Sequence, residues 1–110
     1  MDQRVSLITL GVADLDRSRR FYENGLGWKM TEMVEGQVVF YQLSNGLALG
    51  LFGRTDLIKD GKFDDDTGAT FGGLTLAFNT RSEAEVDTVM LEAQKAGAKI
   101  QKPAEKVFWG

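Results

Sequence analysis

The sequence predicts an α+β fold of two related βαβββ modules in tandem, the second lacking its last two strands. Three observations carry this. A strand-like apolar run leading into a capped helix occurs twice, and Gly73 of the second copy stands 66 residues after Leu7 of the first. Between the copies lie three further strand-length runs separated by turn dipeptides. A polar stretch then divides one copy from the next. The period is too long for a solenoid repeat, and two copies point to a pseudo-symmetric pair of modules.

The first module spans about 4–54. Val5-Ser6-Leu7-Ile8-Thr9-Leu10-Gly11-Val12 is β-branched and leucine-rich and reads as a buried strand. Asp14 is placed to N-cap a helix from 15 to about 24, with Ser18, Phe21, Tyr22 and Leu26 on its inner side. Strands are expected at 28–34, 37–43 and 47–52, joined by Glu35-Gly36 and Ser44-Asn45-Gly46. Residues 55–70 are polar and read as a linker loop. Their Asp64-Asp65-Asp66 run lacks the alternation and closing Glu of a calcium loop. The partial second module, 71–110, opens with Gly72-Gly73-Leu74-Thr75-Leu76-Ala77-Phe78 as a strand. Ser82 and Glu85 then form a capping box. Val86, Val89, Met90, Ala93 and Ala96 make a helical stripe over 82–96, Gly97 ends it, and 98–101 begins another strand that Pro103 breaks or edges.

Composition narrows the chemistry. The chain has 110 residues, a formal net charge of −3, 43% hydrophobic residues, no cysteine and no histidine. The acidic balance argues against nucleic acid or an anionic membrane as partner. No apolar run nears the ~18 residues of a membrane span, and the N-terminus does not resemble a signal peptide. A cytoplasmic protein is expected. Lack of Cys and His removes disulfides, thiolate nucleophiles, the commonest metal ligand and the side chain best suited to proton transfer near neutral pH. Glu23, Glu32 and Glu35 form no carboxylate pair at a useful spacing.

Specific words in the sequence narrow the fold further. Ile8-Thr9-Leu10-Gly11-Val12-Ala13-Asp14-Leu15-Asp16-Arg17-Ser18, then Phe21-Tyr22 and Leu26-Gly27-Trp28, resembles the N-terminal signature of the glyoxalase/bleomycin-resistance (vicinal oxygen chelate) family. Phe71-Gly72-Gly73-Leu74-Thr75-Leu76, Ala96-Gly97-Ala98 and Lys102-Pro103 through Phe108-Trp109-Gly110 resemble its second module. The resemblance implies two sheets curled around a shared cleft. In the metal-using members, it further implies a metal held by His, Gln or Glu from four strands. The matching positions here are Leu7, approximately Leu49, and Gly73, with the fourth past Gly110. None of the three offers a donor side chain, so no metal and no cofactor are expected.

The site expected instead is an apolar pocket. Alternation along the strands places Leu7, Thr9 and Gly11 with Gly73, Thr75 and Ala77, and Leu49 and Leu51 join them if the register allows. Ile8, Leu10 and Val12, with Leu74, Leu76 and Phe78, then pack under the helices. Phe40 and Tyr41 lie on opposite faces of the third strand and one of them is expected to reach the cleft, Phe40 being the candidate taken; Trp109 lines the cleft or an interface. The candidate ligand-binding set is therefore Leu7, Thr9, Phe40, Leu49, Leu51, Gly73, Thr75 and Trp109, with no catalytic residue. The expected function is metal-free binding of a small apolar or aromatic molecule by a homodimer, as in the bleomycin-resistance proteins of this family. The alternatives are a metal-dependent lyase, isomerase or dioxygenase of the family, and a structural remnant without ligand.

Overall fold

A computed structural model describes residues 1–62 and 74–100. Strand β1 (Leu7–Val12) leads through Asp14 into helix α1 (Leu15–Arg19), which continues as a π-helical segment over Arg20–Gly25. The cap forms as the sequence predicts: the Arg17 backbone N–H donates to Asp14 Oδ1 at 3.1 Å. Strands β2 (Glu32–Val34), β3 (Val38–Gln42) and β4 (Ala48–Gly53) follow. The sheet order is β1-β4-β3-β2, with β1 parallel to β4 and the other pairs antiparallel. The β3–β4 turn closes at Asn45-Gly46, where Gly46 takes φ 85°, a value that glycine adopts without strain.

Pleating divides the sheet into two faces. Ile8, Leu10, Val12, Met33, Val39, Tyr41, Leu49 and Leu51 share the face covered by the first helix. Val39, Tyr41, Leu49 and Leu51 are its buried centre. Tyr22 and Trp28 close over it, with ring centroids 5.8 and 6.1 Å from that of Tyr41. The π-helical turn, in which the Leu26 N–H reaches back to the Phe21 carbonyl at 2.9 Å, ends the helix beside these rings.

The structure differs from the sequence reading at four places. Residues 55–61, expected as the start of a polar loop, belong to helix α2 (Arg54–Gly61). Its apolar content is low. It is held by contact with the sheet, where a Cβ on Gly11 would meet Leu57 Cδ2 at 3.1 Å. Residues 28–31, expected within a strand, lie outside β2. Residues 74–78 and 98–100, expected as strands, have no strand pairing among the described residues. Leu74, Leu76 and Phe78 are exposed rather than packed under a helix. The second module is thus represented among the described residues by helix α3 (Glu83–Lys95) alone. The acidic run 64–66 and Pro103 lie outside the described residues.

Helix α3 follows its sequence closely. Ser82 Oγ accepts the Glu85 N–H at 3.2 Å, and Glu85 Oε2 accepts the Arg81 N–H at 3.3 Å, one residue before the cap. Val86, Val89, Met90, Ala93 and Ala96 are half-buried, as the stripe predicts. Its C-terminal turn sits against the first helix at Gly25, where a Cβ would overlap Ala96. No described helix is long and apolar enough to cross a membrane.

Candidate functional site

The face of the sheet opposite the first helix carries Leu7, Thr9 and Gly11 of β1 together with Ala48, Gly50 and Phe52 of β4. Val38, Phe40 and Gln42 of β3, and Glu32 and Val34 of β2, complete it. Helix α2 covers the Gly11 end through Leu57. One transverse row left clear of α2 is Glu32, Phe40, Gly50 and Thr9, each opposite the next in register, with Gly50 itself buried. Gly50 is what lets this row lie flat. A Cβ there would meet Phe40 Cε1 at 3.0 Å, Phe40 Cδ1 at 3.2 Å and Thr9 Oγ1 at 3.4 Å. The Phe40 ring therefore lies over the glycine, with the Thr9 hydroxyl beside it.

Chemically this is a small apolar shelf with a hydroxyl at one end and a carboxylate at the other. Gln42 lies one pleat along the same face, with its Nε2 donating to the Leu43 and Leu47 carbonyls at 3.5 and 3.4 Å. Among the described residues no three His, Cys, Asp or Glu side chains come close enough to share a metal ion.

The structure brings together only part of the predicted set. Leu7, Thr9 and Phe40 share the open face, and Leu7 keeps 44% of its surface exposed. Leu49 and Leu51 do not join them. The register pairs Ile8 with Leu49 and Leu10 with Leu51, and both leucines are buried against the first helix, Leu51 at 0% exposure. The cause is hydrophobic: with two faces unequally covered, Leu49 and Leu51 take the one covered by the first helix and leave Ala48, Gly50 and Phe52 on the other. Thr75 lies in the exposed segment without strand pairing. Gly73 and Trp109 lie outside the described residues. Gly50, Gln42 and Glu32 were missed; the alternation of small Ala48 and Gly50 with bulky Leu49 and Leu51 was the signal that could have found the first.

A second polar cluster lies on the helix side. Arg19 Nε donates to Glu23 Oε2 at 2.8 Å and Arg19 Nη2 to Glu23 Oε1 at 3.2 Å, while the Tyr41 hydroxyl donates to Glu23 Oε2 at 2.9 Å. The Arg19 guanidinium, seconded by Tyr41, holds the Glu23 carboxyl below the usual carboxylate range. Burial, then the bond to Glu23, pushes Tyr41 upward. A carboxylate so held is a fixed anion and a poor proton donor, and the cluster reads as a clip between helix and sheet.

The strand order, with its parallel β1–β4 pair, is that of a single βαβββ module. A family model described as the Glyoxalase/Bleomycin resistance protein/Dioxygenase superfamily matches residues 4–110. The chain belongs to this superfamily. It is similar to a glyoxalase-related enzyme from Fulvimarina pelagi, with 34% identity over 98% of this chain and 75% of that one, at a TM-score of 0.83. Two more distant structures share the fold. A glyoxalase/bleomycin resistance protein/dioxygenase from Nocardioides has 22% identity over 99% of this chain and 72% of its own, at a TM-score of 0.70. A lactoylglutathione lyase from Agrobacterium tumefaciens has 20% identity over 93% and 76%, at 0.67. No curated protein matches the chain.

The metal-using chemistry of such a superfamily member requires donors on the open face. By the sequence resemblance, Leu7 matches the first-strand ligand position of metal-using members. In β4 the residues that face the same way are Ala48 and Gly50, not Leu49. None carries a donor side chain, and Glu32 and Gln42 sit on other strands, both exposed. Among the described residues, the side chains on this face do not fit a chelated metal.

Proposed function

We propose that this glyoxalase-superfamily chain binds a small apolar or aromatic molecule without a catalytic metal, using the Thr9–Phe40–Gly50 shelf. The observation that carries this reading is the close approach of the Phe40 ring to Gly50 beside Thr9 Oγ1. An aromatic plane with one adjacent hydroxyl suits stacking plus a single orienting hydrogen bond. The donor-poor open face supports binding over metal-assisted catalysis. Chain association and a cytoplasmic setting belong to the same proposal; the exposed apolar residues 74, 76 and 78 support the first, and the lack of cysteine is consistent with the second.

Amide chemical-shift mapping with 2-naphthol tests it. Shifts should concentrate at Thr9, Phe40 and Gly50. Phe40→Ala should abolish binding, and Thr9→Val should weaken it by about tenfold, the loss of one hydrogen bond. Shifts elsewhere, or binding indifferent to Phe40→Ala, would contradict the assignment.

A further inference from the structure

A large concavity among the described residues is not on the open sheet face. It lies on the opposite side, between the first helix and the C-terminal turn of α3, with a volume of about 900 Å3. That is within the range of small-molecule pockets, ~300–1,000 Å3. Its width is set by the close approach of Gly25 and Ala96, which tolerates no side chain at position 25. Its floor is apolar, reaching down past Phe21 to Leu10 and Val12 on the sheet.

The rim has a different character. Arg17 and Arg20 border it from the helix and Lys95 from the end of α3. None of the three forms an ion pair among the described residues, where the pairs are Arg4 with Asp2 and Arg19 with Glu23. Asp14 is the acidic residue of the lining, and its carboxylate is engaged by the Arg17 backbone N–H. The groove therefore gathers an excess of positive charge on a chain whose net charge is −3. We propose that this groove binds an amphiphilic organic anion, a carboxylate on an apolar tail, with the tail on the Leu10–Val12 floor and the headgroup among Arg17, Arg20 and Lys95. Neither part suffices alone. Exposed cations give a free anion little affinity, and the floor gives a neutral chain no orientation, whereas burial of the tail and charge-assisted bonds to the headgroup act together. This site is separate from the Phe40 shelf and does not rest on that reading.

Titration calorimetry of the full chain with decanoate, below its micellar concentration, tests the proposal against decyltrimethylammonium and inorganic phosphate. Decanoate should bind one per chain, at least about tenfold more tightly than the cation, as expected of a charge-assisted headgroup contact, and phosphate should not bind measurably. Arg17→Glu with Arg20→Glu should weaken decanoate by about tenfold or more. Lys29→Glu with Lys59→Glu, the same change in net charge placed elsewhere, should leave it unaltered, with circular dichroism confirming that both double variants fold. Equal affinity for cation and anion, equal loss in both double variants, or no decanoate binding because a second copy fills the groove would each overturn it.

Discussion

Tyr41 joins the two layers of the first module at one atom pair, its hydroxyl donating to Glu23 Oε2 at 2.9 Å while Arg19 holds the same carboxylate. Tyr41 is buried at 1% exposure, so its aromatic ring packs in the core while its hydroxyl reaches the helix. Tyr41→Phe keeps the ring and removes the bond, and should lower stability by about 0.5–1.5 kcal/mol at neutral pH. The sign of the pH effect follows from the depressed carboxyl. Its stabilisation is present above the unfolded carboxylate range and is lost as pH falls through the lower folded value. The difference between wild type and Tyr41→Phe in denaturant midpoint should therefore narrow in acid; a gap that does not change with pH would show that Glu23 is not the partner. None of this clip was legible in the sequence, because Glu23 and Tyr41 are 18 residues apart and meet only through the fold. That Phe40 and Tyr41 take opposite faces was legible, since adjacent strand residues must alternate, but which of them faces the open side was not. Leu49 and Leu51 were misplaced because a register offset of one residue exchanges every side chain of β4 between faces.

At the level of elements, the caps were the readable part. Asp14 and Ser82 both accept the expected backbone N–H, since a cap is decided by residues three apart in sequence. Ser82→Ala should cost about 0.5–2 kcal/mol, measured by chemical denaturation. An unchanged midpoint would mean that α3 is held by its contacts alone. Helix α2 was not readable. Its only large apolar residues, Leu57 and Ile58, are adjacent, so no helical stripe appears, and its footing on Gly11 is a tertiary contact. The converse holds at 74–78. Leu74-Thr75-Leu76-Ala77-Phe78 has the alternation of a strand, but alternation gives no partner, and a strand exists only where its backbone groups are paired.

For the whole molecule, that unpaired segment has a physical consequence. Leu74, Leu76 and Phe78 are 51%, 51% and 68% exposed, and β1 pairs on one side only among the described residues. Apolar side chains and an open strand edge together favour a second copy of the chain. Light scattering at high micromolar concentration should report a dimer, and Leu76→Lys with Phe78→Lys should shift it toward monomer. A monomeric wild type at that concentration would contradict the expectation. The family itself was readable at this scale, because its words recur along the chain from Ile8 to Trp109 and the matching model covers 4–110.

The account turns on the missing donors. Leu7, Ala48 and Gly50 share the open face without a donor side chain among them, and neither His nor Cys occurs anywhere in the sequence. A symmetric partner carries the same residues. Only carboxylates, carbonyls and waters remain, which suit a loosely held magnesium or calcium ion at most. The direct measurement is elemental analysis of chain purified without a nickel column, after incubation with zinc, nickel, manganese and iron and then dialysis, alongside turnover of a glutathione hemithioacetal. No stoichiometric transition metal and no turnover are expected; about one metal ion per chain retained through dialysis, with hemithioacetal consumed, would overturn metal-free binding.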